Sequence, residues 1–235
     1  MNDTLFFAGR PFSDFYTYID GSKAFGSPEK DVEFIDIPGR NGSLSISNNR
    51  FNDISIAFPC LIRQDFVENY RQLVAFLNAQ NGFQELSCTT EPNVFRTAQF
   101  TGTSSLQTTG YNIGGLFTVN FRCHPQRWLT SGQNAVEFTT DGTIDNPTLF
   151  ESKPLIRIYG AGSVMIGNVT ITVSANEFEY IDIDCETMNA SYIATNANAY
   201  VSVNTYDLLT LSPGDNGITL TGVDSVEITP RWYEI

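Results

Sequence analysis

Phe117-Thr118-Val119-Asn120-Phe121-Arg122-Cys123 alternates apolar with polar side chains at every step. Successive side chains of a strand point to opposite faces, so this stretch reads as a strand with one dry face and one wet face. The same period of two governs Leu44 and Ile46, then Ile54, Ile56 and Phe58. It returns at Ile156 and Ile158, at Val169, Ile171 and Val173, at Ile181 and Ile183, and at Val226 and Ile228. Repeated alternation, rather than solid apolar runs, predicts a mainly β protein built from antiparallel sheets.

One segment follows a different period. Phe66, Tyr70, Leu73, Val74 and Leu77 fall at i, i+4, i+7, i+8 and i+11, which collects them on one face of a helix. Asp65 stands where a side chain can cap the first turn, Glu68 three residues on can reach back, and Asn81-Gly82 supplies a stop. The expectation is one amphipathic helix from Asp65 to Asn78, docked on a sheet.

A chain of 235 residues exceeds the commonest single-domain size and is short for two large domains, which favours two small ones. Hydrophobic residues at 41% and aromatics at 13%, against 17% charged, are enough for buried cores and exclude a disordered chain. The strand pattern stops after Arg122-Cys123-His124-Pro125, and a loop-rich stretch, Thr130-Ser131-Gly132-Gln133-Asn134, follows. The expected domains are therefore residues 1–130 and 131–235. The front one is α+β and sandwich-like, with one helix and a long hairpin whose end is marked by Thr101 to Ser105 and by Gly110, Gly114 and Gly115. The back one is all-β, with Val136 and Phe138 either crossing between the domains or opening the second.

Charge narrows the function classes. Lys and Arg number 13 against 26 Asp and Glu, giving a net charge of -13 and a pI near 4.3. Such a chain repels phosphate, which argues against a nucleic-acid reader and does not argue against DNA passing by. The start, Met1 to Phe7, has no basic region and no long apolar core, and no apolar run approaches the ~18 residues that span a bilayer. No membrane anchor is expected, and synthesis and folding are expected in a cytoplasm. Cys60, Cys88, Cys123 and Cys185 lie far apart with no Cys-x-x-Cys pair, so they are expected to be reduced, mostly buried thiols.

Little in the chain has the pattern of chemistry. The single histidine, His124, sits before Pro125 with no second histidine to share a metal and no adjacent nucleophile. Asp182, Asp184 and Glu186 would share one face of a strand, where they either bind a cation, act as an acid and base pair, or form the solvated side of a strand that buries Ile181, Ile183 and Cys185. The alternation favours the solvated side. Gly160-Ala161-Gly162 has Met165 where a dinucleotide loop needs its third glycine, so it reads as a turn. Asn168-Val169-Thr170 carries no weight as a glycosylation acceptor without a secretory signal. No catalytic residue, metal ligand or cofactor is expected.

Ile37-Pro38-Gly39-Arg40-Asn41-Gly42 joins two strand-like runs. Pro38 fixes one φ, Gly39 and Gly42 allow positive φ, and Arg40 is left on display. Two readings stand: an ordinary hairpin turn with an exposed arginine, or an assembly contact in which Arg40 grips an acidic neighbour.

That turn, the Phe121 to Pro125 segment, Asn146-Pro147 with Lys153-Pro154, Ile181-Asp182-Ile183-Asp184, Leu211-Ser212-Pro213-Gly214-Asp215-Asn216 and Pro230-Arg231-Trp232 occur in this order. In that set and at this chain length, the sequence resembles the distal tail protein (Dit) family of long-tailed, siphovirus-type bacteriophages. The resemblance implies a virion structural protein and no enzyme. Its front domain would form a hexameric ring around the passing DNA, and its back domain would be a galectin-like β-sandwich on the outside. It also implies tail tube and tape-measure proteins above, a tail-associated hub and receptor-binding baseplate proteins below, and a place at the virion tail tip after assembly in the bacterial host cytoplasm. The candidate interface is Pro38, Gly39, Arg40, Asn41 and Gly42, and the candidate hairpin tip is Gly110, Gly114 and Gly115. The length leaves no room for the inserted sugar-binding modules of larger relatives. Two rivals remain: a stand-alone carbohydrate-binding β-sandwich using Tyr192, Tyr200 and Tyr206, and a glycosidase using Asp182 and Glu186.

Overall fold

A computed structural model describes residues 3–21, 26–110, 112–205 and 209–235. The chain divides into two compact units, Met1–Arg127 with Ile235, and Trp128–Glu234. It is mainly β, with one α-helix among the described residues.

The first unit holds β1 (Leu5–Phe7), β2 (Arg10–Pro11), β3 (Thr17–Ile19), β4 (Lys30–Ile35), β5 (Leu44–Phe51), β6 (Ile54–Ile62), α1 (Phe66–Ala79), β7 (Gln84–Cys88), β8 (Val94–Thr109) and most of β9 (Gly114–Leu129). Seven of these strands form one sheet in the order β2-β1-β7-β8-β9-β6-β3. Register follows the alternation. Ile54 pairs with Cys123, Ile56 with Phe121, Phe58 with Val119 and Cys60 with Phe117, so all eight apolar side chains share one face, and all are buried. Phe66, Leu73 and Leu77 of α1 are buried in the same core. Phe66 and Tyr70 set their rings edge-on to Phe117 at 6.4 and 5.2 Å.

The helix lies where the period placed it, but its cap differs. Asp65 adopts a left-handed conformation with no side-chain cap bond, and Glu68 accepts from Arg71 and Gln72 instead of reaching back. The first turn is capped from outside: the Phe66 N–H donates to the Asn112 carbonyl and the Val67 N–H to Asn112 Oδ1. The expected strand end at His124-Pro125 also differs, since β9 runs on to Leu129. Pairing with β6 ends at Cys123, so Pro125 lies where β6 no longer flanks the strand and its missing N–H is tolerated.

The second unit holds β10 (Val136–Phe138), β11 (Gly142–Asn146), β12 (Leu155–Tyr159), β13 (Gly162–Ile166), β14 (Val169–Val173), β15 (Tyr180–Asp184), β16 (Asn189–Tyr192), β17 (Thr195–Asn196), β18 (Val201–Val203), β19 (Gly214–Thr221), β20 (Ser225–Thr229) and β21 (Tyr233–Glu234). Two sheets, β10-β20-β12-β15-β16-β17 and β11-β19-β13-β14-β18, enclose one core in a β-sandwich. Strand β10 opens this unit by pairing with β20. Trp232 is buried in its core, and its carbonyl accepts from the Leu129 N–H.

Candidate functional site

Among the described residues, strands β4 and β5 pair only with each other, outside the main sheet. A two-stranded hairpin without a third strand or a packed face is at best marginal in water. This one also exposes its apolar residues. Cross-strand pairs Glu33 with Ile46 and Ile35 with Leu44 put four side chains on one face, while Val32, Phe34, Ser45 and Ser47 occupy the other. Phe34 is 69% exposed, and Ile35, Leu44 and Ile46 are exposed with it. The candidate interface Pro38 to Gly42 forms the tip, fully exposed, with Gly39 at φ 80° and Gly42 at φ 84°. The tip is fixed by the Arg40 N–H donating to the Ile37 carbonyl and by Ser43 Oγ donating to Asp36 at 2.7 Å. Arg40 is presented at its end with no ion pair among the described residues.

The second candidate surface lies at the end of the β8–β9 hairpin. Both strands are 16 residues long, so Thr101 to Ser105 sit within β8 rather than at its end. Gly110 is in the turn at φ 46°, whereas Gly114 and Gly115 are the first residues of β9. Their lack of a side chain serves close approach: a Cβ at Gly115 would lie 2.4 Å from the Phe66 ring, and one at Gly114 would lie 2.8 Å from the Ile62 carbonyl oxygen. Beside them is an apolar groove of about 450 Å³ lined by Leu61, Ile62, Arg63, Gly110, Ile113, Gly114 and Gly115. Ile113 stands at its rim, 72% exposed.

Several motif residues of the back half are buried and build the sandwich. Asn146 donates to the carbonyls of Phe150 and Leu211 and accepts from the backbone and hydroxyl of Thr148. Asn216 donates to the carbonyls of Ile144, Ser212 and Gly214, and Ser152 Oγ donates to the Pro230 carbonyl at 2.7 Å. Buried polar groups must be paired, and Asn146 and Asn216 satisfy the carbonyls of Leu211, Ser212 and Gly214 while Ser152 satisfies that of Pro230.

The acidic cluster is dispersed into three ion pairs. Arg157 holds Asp182 in a fork at 2.7 and 3.0 Å, Arg231 holds Asp184 at 2.7 Å, and Lys153 approaches Glu186 at 3.4 Å. Only the first two acids lie in β15, and Glu186 follows it in a turn. Burial pushes the Asp184 carboxyl up, but the Arg231 hydrogen bond and the Glu186 and Thr187 N–H groups outweigh it and hold it below its usual value. Tyr192 stacks on Phe178 at 5.0 Å, and Tyr200 meets Phe178 edge-on, so these rings pack on one another and present no flat shared platform. Tyr206 lies outside the described residues. His124 packs against the Phe83 ring at 4.1 Å. All four cysteines are buried, and desolvation pushes the Cys60 and Cys185 thiols up to about 12 and Cys123 to about 11, which disfavours their reactive thiolate form. Gly160 and Ala161 form the bend between β12 and β13, and Gly162 is the first residue of β13.

No family model matches the sequence, and a comparison with curated proteins gives no match. Solved structures do match. The chain superposes on the crystal structure of SPP1 Dit (gp 19.1) with a TM-score of 0.76 at 12% identity, covering 100% of both chains. That protein is described as a paradigm of the hub adsorption apparatus in phages infecting Gram-positive hosts. The fold is that of a phage distal tail protein. The chain also matches the phage P2 baseplate in its activated conformation with Ca, at a TM-score of 0.55 and 11% identity over 97% of this chain and 96% of that one. The corresponding Sr structure of the phage p2 baseplate gives 0.55 and 10% over the same shares.

Proposed function

We propose that this chain is a distal tail adaptor of a long-tailed bacteriophage. Six copies close into a ring through their first units, DNA passes through the hole, and the ring joins the tail tube and tape-measure protein to the hub and receptor-binding proteins of the tail tip. The reading rests on the fold shared with SPP1 Dit over the full length of both chains. It is supported by the β4–β5 hairpin, which pairs with no third strand among the described residues and leaves Phe34, Ile35, Leu44 and Ile46 exposed. A structural role is in keeping with Asp182, Asp184 and Glu186 being engaged by Arg157, Arg231 and Lys153. Among the described residues, no helix is long and apolar enough to cross a membrane. Assembly takes place in the bacterial host cytoplasm, and the finished site is the virion tail tip.

Negative-stain microscopy of the purified full-length chain, alone and mixed with its tail-tube and hub partners, tests this. Rings with a central hole are expected. A protein that stays monomeric in every mixture and binds glycans would instead be a stand-alone sugar-binding module.

A further inference from the structure

Resting on the ring reading above, we propose that the two exposed apolar surfaces of the first unit are each other's partners in adjacent copies. The β4–β5 face bearing Glu33, Ile35, Leu44 and Ile46 docks in the groove between Leu61 and Ile113 of the next copy, and Glu33 meets Arg63 there.

The apolar match comes first. Three aliphatic side chains on one face of a hairpin form a ridge, and they are exposed. The groove has aliphatic walls, supplied by Leu61, Ile62 and Ile113. Its volume of about 450 Å³ accommodates several aliphatic side chains at once. Burying both surfaces removes apolar area from water on each side, which is the main driving force for association.

Charge then selects the partner. Arg63 is exposed at the groove, rests over the Tyr18 ring at 5.1 Å, and has no ion pair among the described residues. In a chain with only 13 basic residues, an arginine without a carboxylate beside an apolar groove is a specific feature. Glu33, flanking Ile35 and opposite Ile46, is likewise exposed and unpaired among the described residues. Desolvation of such a pair at an interface penalises wrong partners and fixes the register.

A second copy is the occupant that satisfies both surfaces. A foreign protein on the groove would leave the hairpin bare, and one on the hairpin would leave the groove bare. Two different patches on one molecule make a heterologous contact, and such contacts repeat until the rotation closes a ring. Each copy then spends one hairpin and one groove, with none left over.

Charge reversal in the full-length chain tests the pairing. Glu33→Arg and Arg63→Glu, each alone, should weaken assembly by at least about tenfold in light scattering, and the double variant should restore it. Circular dichroism should be unchanged, since both side chains are exposed. A second measurement does not depend on charge: copies carrying Ile46→Cys are mixed with copies carrying Ile113→Cys under mild oxidation. A disulfide-linked pair is expected in the mixture and not in either variant alone. Rings that form equally well in both single charge variants, or no cross-link in assembled rings, overturn the pairing while the ring reading stands. A wild-type chain that never assembles overturns both.

Discussion

Asn112 caps α1 from the far end of the β8–β9 hairpin, 45 residues away in sequence. Its side chain accepts the Val67 N–H, one of the first-turn donors that no helical carbonyl can reach. Asn112→Ala should therefore destabilise the first unit by about 1 kcal/mol, the usual size of a lost helix cap. A denaturant midpoint identical to wild type would show that water caps the helix equally well. Asp184 gives a pH-dependent counterpart in the second unit. Its carboxyl is held below its usual value, so the folded state binds the proton more weakly than the unfolded chain does. The stability it contributes is present above the unfolded pKa and is lost as pH falls through the folded pKa. Asp184→Asn should lower stability at neutral pH and flatten the acid limb of the stability curve. Parallel curves for the two proteins, followed by melting against pH, would remove Asp184 from the account.

At the scale of elements, α1 is held by burial rather than by its caps. Leu73 is completely buried between the helix and the sheet, so Leu73→Ala should cost roughly 2 to 5 kcal/mol, and an unchanged melting temperature would mean that this face is loosely packed. That helix was legible because five apolar residues held a 3.6-residue period, and the core strands were legible because Ile54 to Phe58 and Phe117 to Cys123 held a period of two. The cap was not legible, since Asn112 becomes a neighbour of Val67 only after β8 and β9 pair. The same limit hid the fate of Asp182, Asp184 and Glu186, whose cations come from β12, the chain after β20, and the segment before β12. Pro125 misled for the opposite reason: it breaks a strand only where a ladder partner needs its N–H. The Arg40 turn could be read as a turn. That its two strands would stand apart from the sheet could not, because Leu44 and Ile46 alternate like core residues although no core covers them within one copy. Alternation reports that a face will be buried, and it does not distinguish a core from an interface.

At the scale of the molecule, the second unit has its own two sheets and its own core, so residues 128–235 should fold alone as a monomeric β-sandwich. Starting instead at 131 would remove the Leu129 N–H that the Trp232 carbonyl accepts, and the longer fragment should be the more stable of the two. Protected amides and a cooperative melt are expected, and an unfolded fragment would mean that the two units depend on each other for stability. Acidic residues outnumber basic ones by 26 to 13, and Arg157, Arg231, Arg50 and Arg122 already face Asp182, Asp184, Asp31 and Asp53. Duplex affinity grows with each phosphate neutralised and each counterion released, so a chain with few free cations develops little grip. A conduit is served by that absence, because a duplex that is repelled weakly and uniformly slides past without pausing at any sequence. The full-length protein should show no appreciable duplex binding by fluorescence anisotropy near physiological salt, whether monomeric or assembled. A micromolar complex that weakens steeply with added salt would instead make the chain a DNA-gripping element. It would leave the proposed ring untouched and change what its hole would do.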